Sequence, residues 1–204
     1  MAVKWGSTTC TAIKWGSTTC TAVYWGSTKV FPDNNVSNLT STWVGYKYYT
    51  SNWHYKLING TTISATLSGD TYTFATISGK TLSVRYAKVG ASGDGNDKTY
   101  QGHASLVTPS KVTCSGTITL TATCNTSGPT LYLYYGTALP TATSGTSPTL
   151  ITNYTKLSSA TITSSNKGTV TLSGTLSGSY YLRAAWEAGS STSTISCTIT
   201  GLQY

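Results

Sequence analysis

The chain has 204 residues, enough to bury one sizeable core or two small ones. Charged residues make up only 9%, and the formal net charge of +8 comes from 13 basic residues scattered singly, which excludes a dense basic nucleic-acid stripe. With 15 Tyr, 6 Trp and many Thr, Val and Ile, but one Met, the composition excludes disorder and a helical fold, and leaves an all-β protein.

The first 31 residues repeat with a period of ten: VKWGSTTCTA, IKWGSTTCTA and VYWGSTKVFPD. Each copy aligns an aliphatic (Val3, Ile13, Val23), a Trp (Trp5, Trp15, Trp25) and a Gly-Ser turn beginning at Gly6, Gly16 or Gly26. Between the turns, Thr-Thr-Cys-Thr-Ala-Ile-Lys-Trp reads as one strand, with Thr9, Thr11, Ile13 and Trp15 on one face. Units this small cannot bury their own Trp, so they must stack on one another or on a partner chain.

Pro32-Asp33-Asn34-Asn35 reads as a linker. Residues 32–107 then read as a β-meander with turns at Thr50-Ser51-Asn52, Asn59-Gly60, Ser68-Gly69 and Ser78-Gly79. Asn-Gly is the strongest of these as a hairpin signal, because both residues accept positive φ. Residues 80–89 read as one strand, and 90–102 as a loop. Strand patterns restart near residue 108 and include TITLTATC, TLYLYY, KGTVTL, SYYLRAAWEAG and STISCTIT, separated by Ser/Gly/Thr turns.

Residues 108–204 resemble an immunoglobulin-like sandwich of the bacterial or phage type. The resemblance puts Tyr180 two positions before the second core cysteine, where it forms a tyrosine corner. Leu182 occupies that cysteine's place, so the inter-sheet disulfide of the family is absent. The expected architecture is a repeat arm (1–31), a small meander domain (32–107) and an immunoglobulin-like sandwich (108–204).

Catalytic chemistry has little to work with. The acids are Asp33, Asp70, Asp94, Asp97 and Glu187, and the histidines His54 and His103. No nucleophile elbow, HExxH, phosphate loop or nucleotide fingerprint is present. Asp94 and Asp97 share a loop that lacks the ligand spacing of a calcium site and reads as a solvated turn. No metal or other cofactor is expected, and the chain is read as no enzyme. Five Cys is an odd number, so one thiol stays free or pairs between chains. Val30 replaces Cys10 and Cys20 in the third repeat, which makes cysteine a small apolar filler there. Cys124 and Cys197 fall on the apolar phases of their strands and read as buried thiols, with a Cys114–Cys124 pair left open.

The aromatic cluster Trp43, Tyr46, Tyr48, Tyr49, Trp53 and Tyr55 is the richest candidate surface. Either it fills the core through cross-strand pairs, or one face meets sugars or another subunit.

The repeated KWGSTTC/YWGSTKVF segment resembles N-terminal repeats of virion proteins in crAss-like phages of gut Bacteroides. That resemblance implies a head fibre or capsid-decoration subunit. Val3, Trp5, Ile13, Trp15, Val23 and Trp25 would form the attachment arm, and the later β-domains would project outward. Its partners would be capsid or other virion proteins, with a homo-oligomer expected. The alternative is a carbohydrate-binding, adhesin-like module contacting surface glycans through Trp43, Tyr46, Tyr48, Trp53 and Tyr55. Neither nucleic acid nor membrane is an expected partner: no apolar stretch approaches the ~18–20 residues that span a bilayer. The start of the chain also lacks the apolar centre of a secretory signal. Synthesis in the host cytoplasm and release in the virion follow from that reading, with the cysteines reduced at synthesis.

Overall fold

The computed structural model describes residues 34–49, 52–89, 98–147, 150–189 and 192–204, and between 4 and 31 the backbone of six short strands. The protein is all-β, as its composition predicts.

Strands β1 (Lys4–Trp5) and β2 (Thr8–Thr9), β3 (Ile13–Trp15) and β4 (Thr18–Cys20), and β5 (Val23–Trp25) and β6 (Thr28–Phe31) form three separate antiparallel hairpins. In each, a Trp opposes the Thr three residues on: Trp5 and Thr8, Trp15 and Thr18, Trp25 and Thr28. The strand break therefore differs from the expected one. Thr8–Thr9 and Ile13–Trp15 belong to different hairpins, not to one strand. Each ten-residue copy closes its ladder on itself. Val3 lies outside the described residues, as do the side chains of Trp5, Ile13, Trp15, Val23 and Trp25.

The expected linker is anchored at its far end. Asn34 caps a short 3-10 turn, Asn35–Asn38, by accepting from the Val36 amide. The same Asn34 carboxamide accepts from Leu202 N and donates to the Thr200 carbonyl. Asn38 donates to the Tyr204 hydroxyl at 2.6 Å, and Lys80 Nζ donates to the Leu39 carbonyl at 2.6 Å.

Thirteen strands build two sheets that share one long strand, β18 (Gly168–Glu187). Sheet I runs β9 (Thr62–Leu67), β10 (Asp70–Ser78), β11 (Thr81–Val84), β19 (Ile195–Gln203), β14 (Val112–Cys124) and the first half of β18. Sheet II runs β16 (Thr143–Thr146), β8 (Trp53–Asn59), β7 (Ser41–Tyr49), β13 (Lys98–Val107), the second half of β18, β15 (Thr130–Gly136) and β17 (Tyr154–Thr161). Strand β12 (Tyr86–Val89) flanks the start of β13. Residues on either side of position 107 complete both sheets. β11 pairs β19, and β13 pairs β18. The expected meander and sandwich thus interleave their strands instead of standing as successive sheets.

Four sequence signals acquire different roles. Asn59-Gly60 joins two strands that do not pair with each other: β8 belongs to sheet II and β9 to sheet I. Arg85 breaks the expected 80–89 strand into β11 and β12, again across the two sheets. The stretch 173–178, expected as a turn, continues β18. Val170, Leu172, Leu176, Leu182, Ala184 and Trp186 keep one phase of alternation along its length and bury that face. The expected loop 90–102 gives its last five residues to β13. Ser68-Gly69, by contrast, forms the expected hairpin turn, both residues at positive φ (51° and 89°).

The main core lies between the sheets and gathers Phe74, Leu82, Ile118, Leu120, Leu133 and Trp186 among others. Trp186 is fully buried and its indole donates to the Ile195 carbonyl at 3.2 Å, so the polar edge of the largest core side chain is satisfied. Gly102 marks the crossing point of the sheets. Its amide donates to Arg85 O while the Arg85 amide donates to Phe74 O, both at 2.9 Å. A Cβ at Gly102 would collide with the Phe74 carbonyl, so no larger residue fits. Tyr180 donates to the Ser177 carbonyl at 3.3 Å, but it lies within the unbroken β18 and not at a corner between strands; Leu182, two residues on, is fully buried.

Candidate functional site

The outer face of sheet II carries a second, smaller apolar cluster of Trp43, Leu57, Val107, Leu150, Ile151 and Ala185. It is covered by the long connection from β15 to β17, which contributes β16 against β8. Polar side chains are embedded in this cluster because alternation brings them to the same face. On β13 these are His103 and Ser105. On the antiparallel β18 they are Arg183 and Glu187, with His103 opposite Glu187 and Ser105 opposite Ala185.

The four groups form a relay. Arg183 Nε donates to Ser105 Oγ at 3.0 Å, and Arg183 Nη2 lies 2.9 Å from His103 Nε2. Arginine only donates, so Nε2 is the acceptor and the imidazole proton sits on Nδ1. Nδ1 then donates to Glu187 Oε1 at 3.2 Å. Ser105 Oγ also lies 3.3 Å from His103 Nε2 and 3.5 Å from the Trp43 carbonyl. Buried cation and carboxylate are thereby linked through a neutral imidazole, which compensates two charges that would be costly to bury alone.

The titration behaviour follows from burial. Desolvation pushes the His103 pKa down; the hydrogen bond to Glu187 opposes this, and the charge of Arg183 adds to it. Burial raises the Glu187 pKa, but the hydrogen bond from His103 and the charges of His103, Lys47 and Arg183 outweigh it and hold the carboxyl below its usual range. Arg183 is pulled down to about 10, chiefly by burial. Burial raises Tyr154, whose ring lies 5.3 Å from the guanidinium carbon, to about 12. At neutral pH the relay is therefore Arg⁺, neutral His and Glu⁻.

Ser105, His103 and Glu187 stand in the order of a nucleophile, base and acid, but their surroundings oppose that use. Arg183 occupies both Ser105 Oγ and His103 Nε2, and both residues are fully buried, so no substrate atom reaches the hydroxyl. The arrangement fixes a cation in place.

That cation lines a cavity of about 210 Å³ under the β15–β17 connection. Leu57, Leu150 and Ile151 give apolar walls, and the rings of Tyr55 and Tyr154 stand beside them. Exposed Thr141, Thr143, Thr152 and Asn153 form a polar rim.

The aromatic cluster divides between the two faces of sheet II. Tyr46 and Tyr48 turn inward, where they pack on Phe74 and Tyr100 with ring centroids 5.0–5.9 Å apart. Trp43 is buried in the outer cluster, and Tyr55 borders the cavity. Tyr49 and Trp53 pair at 5.3 Å, with Lys47 Nζ 5.1 Å from the Trp53 ring, and Tyr49 is 44% exposed.

Sequence reasoning passed over the relay. The available signal was an Arg within the apolar run Leu-Arg-Ala-Ala-Trp and a His and Ser alternating in Gly-His-Ala-Ser-Leu-Val. Cys114 and Cys124 sit ten residues apart on one strand, about 30 Å at the usual rise, so they cannot pair. Cys124 instead opposes Cys197.

Among the described residues no group of three or more His, Cys, Asp or Glu gathers as a metal ion would require, and no helix is long and apolar enough to cross a membrane. Asp94 and Asp97 lie outside the described residues. Compared with models of protein families, with curated proteins and with solved structures, the chain matches none.

Proposed function

We propose that this chain is a non-enzymatic structural subunit of a phage particle, a head fibre or capsid-decoration protein. It docks through residues 1–31 and carries its two-sheet body outward. The observation that supports this reading is the arm: three copies of one ten-residue hairpin, each hydrogen-bonded only within itself among the described residues. A hairpin this short has little stability alone, so identical copies make sense as repeated weak docking elements on a repeated surface, where linkage multiplies their affinity. The anchoring of Asn34 to Thr200 and Leu202 supports the same reading, because it gives the arm a fixed origin on the body.

The test is mass spectrometry of purified particles together with light scattering of the full chain and of residues 32–204. Presence in particles and an oligomer that becomes a monomer on truncation support the proposal. Absence from particles sinks it, and a monomeric full chain removes the homo-oligomer. A glycan-contacting role has one supporting observation, the partly exposed Tyr49–Trp53 pair with Lys47 beside it. Glycan-array binding lost on Trp53→Ala, with the fold intact, would favour that role.

A further inference from the structure

We propose that the cavity beneath the β15–β17 connection is a binding site for a carboxylate carried on a sugar ring, with Arg183 as its cationic floor. The inference rests on the cavity alone and holds wherever the protein acts. Arg183 is 1% exposed, and two of its three guanidinium nitrogens are turned into the sheet toward Ser105 and His103. The third, Nη1, has no hydrogen-bond partner among the described residues. Among the described residues no buried polar side-chain atom is left without a partner, and Arg183 lines the cavity, so Nη1 is the corner that opens to it. The carboxylate that balances this charge, Glu187, contacts His103, so among the described residues the guanidinium has no direct anionic partner. A carboxylate in the cavity would supply one through a charge-assisted hydrogen bond in a poorly solvated place.

The remaining walls narrow the class. Tyr55 offers a ring face, and the rim residues Thr141, Thr143, Thr152 and Asn153 offer hydroxyl and amide groups suited to sugar hydroxyls. The volume suits one ring, so the ligand is a single hexuronate-type residue, free or terminal on a glycan.

The experiment is a titration of the full-length ¹⁵N-labelled protein with glucuronate and, separately, with glucose at equal ionic strength. The chain contains only two arginines, Arg85 and Arg183, so their Nε–H resonances serve as probe and internal control. Glucuronate should shift Arg183 saturably and leave Arg85 in place, while glucose should move neither. Thr152→Trp closes the rim without touching the relay and should weaken binding at least about tenfold, the loss expected for one charged hydrogen bond. Equal shifts with glucose, no saturable shift at Arg183, or unchanged affinity in Thr152→Trp would each overturn the proposal.

A second inference stands on a different observation. We infer that Cys124 and Cys197, which are buried once the chain is folded, close to a cystine when it folds in the presence of a small-molecule disulfide. They are directly opposed at one end of the β14–β19 ladder, and their Sγ atoms lie 2.7 Å apart. Opposed residues in an antiparallel pair have Cα atoms about 4.5–5.5 Å apart, inside the range a disulfide spans, so neither strand has to move. The thiolate of one cysteine attacks the small disulfide and expels one thiolate. The second cysteine attacks the mixed disulfide and expels the other. The two thiol protons pass to the expelled thiolates, so the protein loses two electrons and the small disulfide becomes two thiols.

Refolding the full chain bearing Cys10→Ser and Cys20→Ser in oxidised glutathione, then denaturing and alkylating it, reads the result by mass. One alkyl group per chain is expected, placed on Cys114, against three after reduction. The thermal midpoint should be higher in the oxidised form. Three alkyl groups after oxidation, a persistent glutathione adduct, or protection that survives Cys197→Ser would overturn the inference.

Discussion

The arm and the body are both built from antiparallel strands, yet their ladders differ in reach. In the arm, each Trp pairs with a Thr three residues away, and among the described residues no ladder leaves its own ten-residue copy. In the body, β13 pairs with β18 and β11 with β19, joining residues 76 or more positions apart. Local ladders form and break independently, whereas distant ones stand or fall together. The arm's ladders among the described residues therefore do not tie its copies to the body, whereas a defect in the body reaches both sheets through β18.

The largest expected effect tests the body side of that contrast. Trp186→Ala empties the main core and should cost about 3–5 kcal/mol, read as a lower urea midpoint. Gly102→Ala drives a methyl group into the Phe74 carbonyl and should cost about 1–3 kcal/mol by the same measurement. Acid sharpens the comparison further. His103 has a folded pKa below its ordinary value, so the unfolded chain binds a proton first as pH falls below about 6.5, and stability drops. Glu187 is also depressed, so its contribution, present above the unfolded carboxyl value, is lost as pH falls through the folded one. Both slopes have the same sign. His103→Gln should flatten the upper part of the stability–pH curve, and an unchanged curve would remove the imidazole from the account. Asn34→Ala severs the tie between arm and body and should cost about 1 kcal/mol by loss of its cap and cross-links. Deleting residues 1–31 should shift the body's melting temperature least of all. A clear fall would mean that the arm packs on the body.

The all-β class was legible because the Thr, Val, Ile and Tyr content leaves no other economical fold, and β14 shows its pattern openly. Ile118, Leu120, Ala122 and Cys124 alternate with Thr and are all buried. The ten-residue period and its Gly-Ser turns were equally plain, as was the turn at Ser68-Gly69. Pairing partners were not, because alternation gives the face of a strand and not its neighbour. Asn59-Gly60 permits a tight reversal whether or not the flanking strands pair, so a hairpin signal there marked a change of sheet. In β18, Ser173-Gly174 and Ser177-Gly178 have turn composition, yet Leu157 fills the space beside Gly174 and the strand runs through. The relay escaped notice because His103 and Glu187 are 84 positions apart and meet only through the β13–β18 register.

The sharing of β18 has a mechanical consequence. A load that peels β14 away from β18 is carried along the same backbone into the bonds that hold β13 and β15. Neither sheet offers a fracture line that spares the other, so a protease waiting for a frayed segment of 168–187 must wait for the whole body to open.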